Sequence, residues 1–271
     1  MGGTTGRLPT LYIPHGGGPW HLMMDAFGGA QAWAPLVTYL EGIGSLAREK
    51  ARAILAVSAH WEENIPTVHH GSSPGLYYDY YGFPDSTYHL SWPAPGAPDV
   101  AQRIDSLLRE AGFRVGREEE RGFDHGSFVP LMVALPDAAL PVAQLSLVGD
   151  LDPATHLRLG RALAPLRDEG LLIIGSGMSY HNMRGFGDPR SRPSSERWDD
   201  WLRDAVESAD AERRDRLLTE WERAPEARNC HPRSEHLVPL FVAAGAAGED
   251  RGVRSFAGTI MDVAVSGFTF G

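Results

Sequence analysis

LLIIGSG, residues 171–177, is an unbroken apolar run that stops on Gly-Ser-Gly. Continuous apolarity, as opposed to alternation, is what a strand buried on both faces requires, and small residues behind it mark the passage into a loop. The same signature recurs upstream as LYIP at 11–14, AILAVSA at 53–59 and PVAQLSL at 141–147. Between these runs, apolar residues recur three or four positions apart over 99–111, 153–167, 194–209 and 211–223, the spacing of amphipathic helices. Strands alternating with helices predict an α/β fold with a central, largely parallel sheet flanked by helices. The whole chain, residues 1–271, reads as one domain, and 255–270 holds enough Phe, Ile and Val for late strands.

Residues 62–98 break the pattern. They are rich in Gly, Pro, Tyr and Trp without a sustained period, so they read as a long structured loop with short strands. Tyr77, Tyr78, Tyr80, Tyr81, Phe83, Tyr88 and Trp92 either shield a planar ligand or pack the loop on itself.

Composition excludes several classes. One cysteine, Cys230, rules out an intrachain disulfide and multi-cysteine zinc or iron–sulfur sites, so a metal would bind through nitrogen and oxygen. Thirty-five acidic against 25 basic residues give a net charge of −10, which repels nucleic acid. No run is long and apolar enough to cross a membrane, and the first ten residues, MGGTTGRLPT, lack the apolar core of a secretory leader. A cytoplasmic protein is expected.

Eleven histidines are informative only through their settings. Ligands in open α/β sheets bind beyond the carboxyl ends of strands. His15 ends LYIP, His60 ends AILAVSA, and His181 follows LLIIGSGMSY; His125 sits in the turn-like GFDHGSF. In NCHPRSEHLVPLF, Pro232 and Ser234 suit a helix start, so His236 is expected on a first helical turn. His69 and His70 read as loop residues, and His21, His156 and His231 as surface or capping residues. Neutral imidazoles brought together from separate strand ends suit iron(II), zinc or copper. The spacing selects no metal chemistry, since HExxH, HxH and EF-hand patterns are absent. No apolar strand run ends in a GxSxG elbow and a Walker pattern is absent, which weighs against a serine hydrolase or a phosphate-binding loop.

Seven strings in order, PHGGGPW (14–20), SAHW (58–61), YYGFP (80–84), WPAPG (92–96), DHGSFVPL (124–131), GSGMSYHN (175–182) and EHLVPLFVAAGAAG (235–248), together resemble the class III extradiol ring-cleavage dioxygenases. The branch is the one that looks like dihydroxyphenylalanine dioxygenase, and the likeness runs from about Leu11 to about Phe270. It implies an enzyme that opens a catechol beside its two hydroxyls with O2, giving a muconic semialdehyde type of product. It implies iron(II) as the metal, with zinc found in some members. Carried over by motif, the ligands are His15, His60 and His236. His181 becomes an extra ligand or the acid/base, here assigned as acid/base, and His125 lines the substrate pocket and shares proton handling. The chain departs from the family in reading HGGG where many relatives have HGSP. In better-known relatives the third ligand is glutamate, which puts Glu235 beside His236 in contention; on a helix the two would point about 100° apart and not share a metal. A zinc hydrolase on the same histidines, and a non-enzymatic binding member of the superfamily, stay open as alternatives.

Overall fold

The computed structural model describes residues 6–271, and the leader expectation falls partly on residues 1–5, outside them. The strands are β1 (Thr10–Pro14), β2 (Ala53–Glu63), β3 (Thr67–His69), β4 (Gly116–Glu118), β5 (Val142–Val148), β6 (Leu171–Gly177), β7 (Gly252–Ile260) and β8 (Val263–Phe270). The helices are α1 (Ala30–Lys50), α2 (Pro98–Glu110), α3 (His125–Ala134), α4 (Pro153–Leu163), α5 (Arg192–Val206), α6 (Ala211–Thr219), α7 (Ala227–Cys230) and α8 (Val238–Ala247).

One mixed sheet runs β4-β3-β5-β2-β6-β1-β8-β7. Its centre, β5-β2-β6-β1, is parallel and consists of the four apolar runs seen in the sequence. Those strands are buried almost throughout, which is why they show no alternation. The β7–β8 hairpin joins β1 antiparallel on one side, and β3 joins β5 antiparallel on the other. The chain is therefore a single α/β domain, as expected, with antiparallel additions at both edges.

The Gly-Ser-Gly end of β6 decides how the two layers meet. A Cβ on Gly175 would lie 2.3 Å from the Pro239 carbonyl oxygen, and one on Gly177 would lie 2.0 Å from that of His236. Only glycine lets the segment entering α8 press so closely on the strand. Ser176, between them, points the other way and donates to the Gly126 carbonyl in α3. Because successive strand residues face opposite sides, α8 and α3 cover opposite faces of β6.

Helix α8 is apolar all round and packs on β6, β1 and α4. Its carboxyl end is closed by two buried guanidiniums. Arg167 donates to the carbonyls of Ala246 and Ala247 at 3.1 Å and to Asp250 at 2.6 Å; Arg214 donates to those of Ala244 at 3.2 Å and Gly248 at 2.8 Å. Cations there satisfy orphan carbonyls and complement the helix dipole. The opposite end of α8 carries His236.

Four helical expectations hold with shifted ends. The pattern over 153–167 is α4 followed by a 3-10 turn at Ala164–Arg167, and that over 211–223 is α6 followed by one at Trp221–Arg223. Residues 62–98 hold the end of β2, the short β3, a 3-10 turn at Asp85–Tyr88 and otherwise irregular chain. Three readings need correction. His125 is the first residue of α3, not part of a turn, with Asp124 as its N-cap. His236 lies in the turn before α8, not on its first helical turn. His156 and His231 are fully buried, not superficial: His156 Nδ1 donates to the Asp152 carbonyl at 2.7 Å, and His231 Nε2 donates to that of Ser179 at 2.9 Å. Among the described residues, no helix is long and apolar enough to cross a membrane.

Candidate metal centre

Beyond the carboxyl ends of β1, β2 and β6, all five singled-out histidines come together. His15 follows β1, and His60 lies in β2 past its last pairing with β6 at Ser58. His60 Nε2 is 3.1 Å from His15 Nε2 and 3.2 Å from His236 Nε2. His181 stacks on His236 with ring centroids 3.3 Å apart, and His125 stands 3.9 Å from His60.

The far side of each ring is anchored. Ser176 Oγ spends its hydrogen on Gly126, so it accepts from His15 Nδ1 at 3.1 Å. Glu235 Oε1 accepts from His236 Nδ1 at 2.9 Å and stands 3.1 Å from His181 Nδ1. Asp79 Oδ1 accepts from both the backbone N–H and Nδ1 of His125, at 2.9 and 2.8 Å, and its Oδ2 lies 3.5 Å from His60 Nδ1. Each carboxylate thus bridges one histidine of the converging three and one of the flanking two. A hydrogen bond held at Nδ1 fixes the tautomer and leaves the Nε2 lone pair facing inward.

Electrostatics agree with neutral rings. Burial, followed by the neighbouring histidines, drives His15 and His236 well below the ordinary imidazole range. Burial and then His125 lower His60 to about 3, against the opposing pull of Asp79. Glu235 is pushed up by burial, but its hydrogen bond and charge interaction with His181 outweigh this and hold it below the usual carboxylate range.

These donors fit a metal ion. The inward lone pairs of His15 and His236, each about 3 Å from that of His60, have no proton to share with it and repel it unless a cation lies between them. Two nitrogens bound roughly 2.1 Å from one ion stand about 3 to 3.4 Å apart. His15, His60 and His236 offer one nitrogen each within 4.8 Å of one another, and the His60–Asp79–His125 and His181–Glu235–His236 groups adjoin them.

Backbone supports hold the cluster in place. Tyr12 Oη donates to the His236 carbonyl at 2.7 Å, and Ser58 Oγ accepts from the His60 N–H at 3.1 Å while donating to Asp124 at 2.6 Å. Arg121 donates to the His60 carbonyl at 3.0 Å and pairs with Asp124 at 3.1 Å. The aromatic stretch packs on itself and against the site. Trp92 donates to the Leu135 carbonyl and Tyr78 to that of Leu90, as loop packing, whereas Tyr80 meets His125 edge-on at 5.9 Å. Tyr81 is exposed.

Two functional groups escaped the sequence reading. Asp79 was hidden among tyrosines in YYDYYG, and Ser176 read only as a small residue at a strand end. Glu235 was noticed as a rival ligand; the structure puts it behind His236, on Nδ1.

Residues 9–265 match the family described as the catalytic LigB subunit of aromatic ring-opening dioxygenase. The 4,5-DOPA dioxygenase extradiol of Beta vulgaris is 44% identical over 206 residues, 74% of this chain and 75% of that protein. The dioxygenase tasH of Hapsidospora irregularis is 36% identical and covers 98% of this chain and 86% of its own length. The crystal structure of an uncharacterised protein of Escherichia coli K12 superposes with a TM-score of 0.77 at 26% identity, covering 98% of this chain and 100% of that one. Family match, relatives and histidine cluster agree: the chain belongs to the LigB family of aromatic ring-opening dioxygenases and is a non-haem, metal-dependent extradiol enzyme acting on a catecholic ring.

Proposed function

We propose that His15, His60 and His236 hold iron(II), and that His181 and His125 move protons for the opening of a catechol by O2 to a muconic semialdehyde type of product. The observation that carries this division is the convergence of three Nε2 atoms whose Nδ1 positions face Ser176, Asp79 and Glu235. Zinc(II) is the other ion these nitrogens would take in the purified protein. Bound iron supplies the electronic link between the catechol and oxygen.

The remaining work falls to the chain's own groups. His181 and His125 flank the three converging rings on different sides, each with Nδ1 turned to a carboxylate and Nε2 left to accept a proton. An imidazole can both take and give a proton, so the ring that takes a catechol hydroxyl proton at Nε2 can return it as the catechol opens. Tyr80, buried beside His125, keeps water from that side. His181 is read as acid/base because the group of nitrogens that converges on His60 takes in His15 and His236 and not His181.

The relatives named dioxygenases favour oxygen chemistry over hydrolysis by a zinc-bound hydroxide. Several carry DOPA in their names, and a catechol ring is what the present substrate would share with it. A cytoplasmic location belongs to the same proposal, supported by a single, buried, unpaired cysteine. The test is anaerobic reconstitution with iron(II), then oxygen, across protocatechuate, dihydroxyphenylalanine and caffeate. Oxygen uptake with a yellow semialdehyde absorbance is expected; activity strictly dependent on zinc, with no oxygen consumed, would favour the hydrolase.

A further inference from the structure

Beside the histidine cluster lies a cavity of about 110 Å³ walled by Phe27, Trp33, Met178, Phe186, Ile260 and Met261. His181 is the one ionisable side chain on its wall, and Met183 with Gly16 and Gly17, directly after His15, complete it, so the cavity opens from the site itself. We infer that this cavity receives the ring substituent of the catechol, and that the substituent is an uncharged, apolar chain of about four carbons in place of an amino acid or carboxylate. The inference rests on the catechol reading above and adds the class of substituent.

Three observations carry it. The first is the wall: aromatic, aliphatic and thioether groups offer a carboxylate no cation and only one imidazole. Burying an unpaired charge there is costly, whereas each methylene removed from water gains about fourfold in binding. The second is size. An apolar cavity of about 150 Å³ takes a benzene ring, so the smaller volume here suits roughly four carbon atoms.

The third is the state of the nearby cations. Arg121, against the hollow on the other side of His60, is paired with Asp124 and lies over the rings of Trp61 and Tyr77. Arg233 is paired with Glu62 at 2.6 Å. That hollow is bordered by Glu62, Glu63, Glu118 and Glu120, which would repel a carboxylate. Arg184 is exposed and does not line the cavity.

Met261 adds a local sign. It sits in the tight β7–β8 turn at φ +45°, with Asp262 at φ +69°, a backbone conformation that side-chain-bearing residues rarely adopt. The turn is tied down by the Gly187 N–H on the Met261 carbonyl at 2.7 Å, and it holds the Met261 side chain on the cavity wall. Methionine is suited to lining such a site, since its flexible thioether adapts to alkyl groups of varied shape.

The experiment has two readouts. Para-butylphenol, which is neither a chelator nor a substrate, is titrated into metal-free protein while tryptophan fluorescence is followed, Trp33 being on the wall. In parallel, kcat/KM of the iron(II) enzyme is compared for butyl-substituted catechol, dihydroxyphenylalanine and protocatechuate. Both are repeated on Met261→Lys and on Met183→Lys, the latter at an exposed cavity residue where misfolding is not a concern. Saturable binding of the phenol is expected, with kcat/KM at least about tenfold higher for the butyl catechol than for either acid. Either lysine is expected to weaken phenol binding and shift the preference toward the acids by about tenfold or more. Turnover of the acids without phenol binding would overturn the cavity assignment and leave ring cleavage standing. Phenol binding that the lysines abolish, with no oxygen consumed on any catechol, would keep the cavity and overturn ring cleavage. Absence of both would overturn both.

Discussion

Glu235 stands behind His236, its Oε1 accepting from Nδ1 at 2.9 Å, while the same oxygen faces His181 Nδ1 at 3.1 Å. A residue that sequence alone offers as a competing ligand instead orients a nitrogen that faces the cluster. Glu235→Gln keeps the shape and loses the charge. Metal affinity is expected to fall about 10- to 100-fold, the usual effect of losing a carboxylate behind a ligating histidine, measured by competition with a chelator. Unchanged affinity would deny Glu235 that role.

Asp79 plays the corresponding part for His125, with a longer reach to His60. Asp79→Asn is expected to lower kcat by about 100-fold, within the range of general acid–base contributions, while metal content stays near that of the unaltered protein. Loss of metal to the extent seen in His60→Ala would mean that Asp79 serves the ligand and not the proton-handling ring.

Gly177 gives a steric test of the same geometry. In Gly177→Ala the new methyl would stand 2.0 Å from the His236 carbonyl oxygen, so the segment carrying His236 must move. Metal content should drop sharply while the far-ultraviolet circular dichroism of the α/β domain is retained. Full metal occupancy would show that His236 tolerates displacement and is not a ligand.

Arg167 anchors the other end of α8 and is completely buried among carbonyls and Asp250. Arg167→Met leaves Asp250 and at least two carbonyls without their partner. A loss of about 1 to 3 kcal/mol in denaturant unfolding is expected, the cost of leaving buried carbonyls without a partner. A change below about 1 kcal/mol would place the clamp elsewhere, in Arg214.

His231, fully buried against Trp198 and Trp221, has its proton affinity lowered by burial to about 4. The unfolded chain binds a proton at this residue near pH 6.5, and the folded chain does not until about 4. Stability should therefore be unaffected by this group above about pH 6.5 and fall by up to about 3 kcal/mol as pH drops to about 4. Unfolding curves of the protein and of His231→Gln over that range should diverge in slope, and parallel curves would contradict the assignment.

Much of the fold was legible because its centre is chemically plain. Four strands buried on both faces announce themselves as apolar runs, and they are the four parallel strands of the sheet. Helix α1 was not among the helical patterns read, although Trp33, Leu36, Leu40, Ile43 and Ala47 follow helical spacing; Pro35, Gly42 and Gly44 interrupt it, and Gly44 is there to let Ala134 approach. Helices α3 and α8 are apolar on every side and so have no period to detect. At the site, histidines at strand ends were visible as candidates, and their motifs sorted them into roles. Asp79 and Ser176 were not visible, because the bonds that define them cross to residues 46 and 161 positions away in the chain.

The central division, three histidines for the metal and two for protons, is tested most directly by metal content in five single variants. After reconstitution with iron(II) and removal of loose metal, His15→Ala, His60→Ala and His236→Ala are expected to retain almost none. His125→Ala and His181→Ala are expected to keep close to one ion per chain with turnover lost. Full occupancy in any of the first three, or an empty His181→Ala protein, would contradict the division.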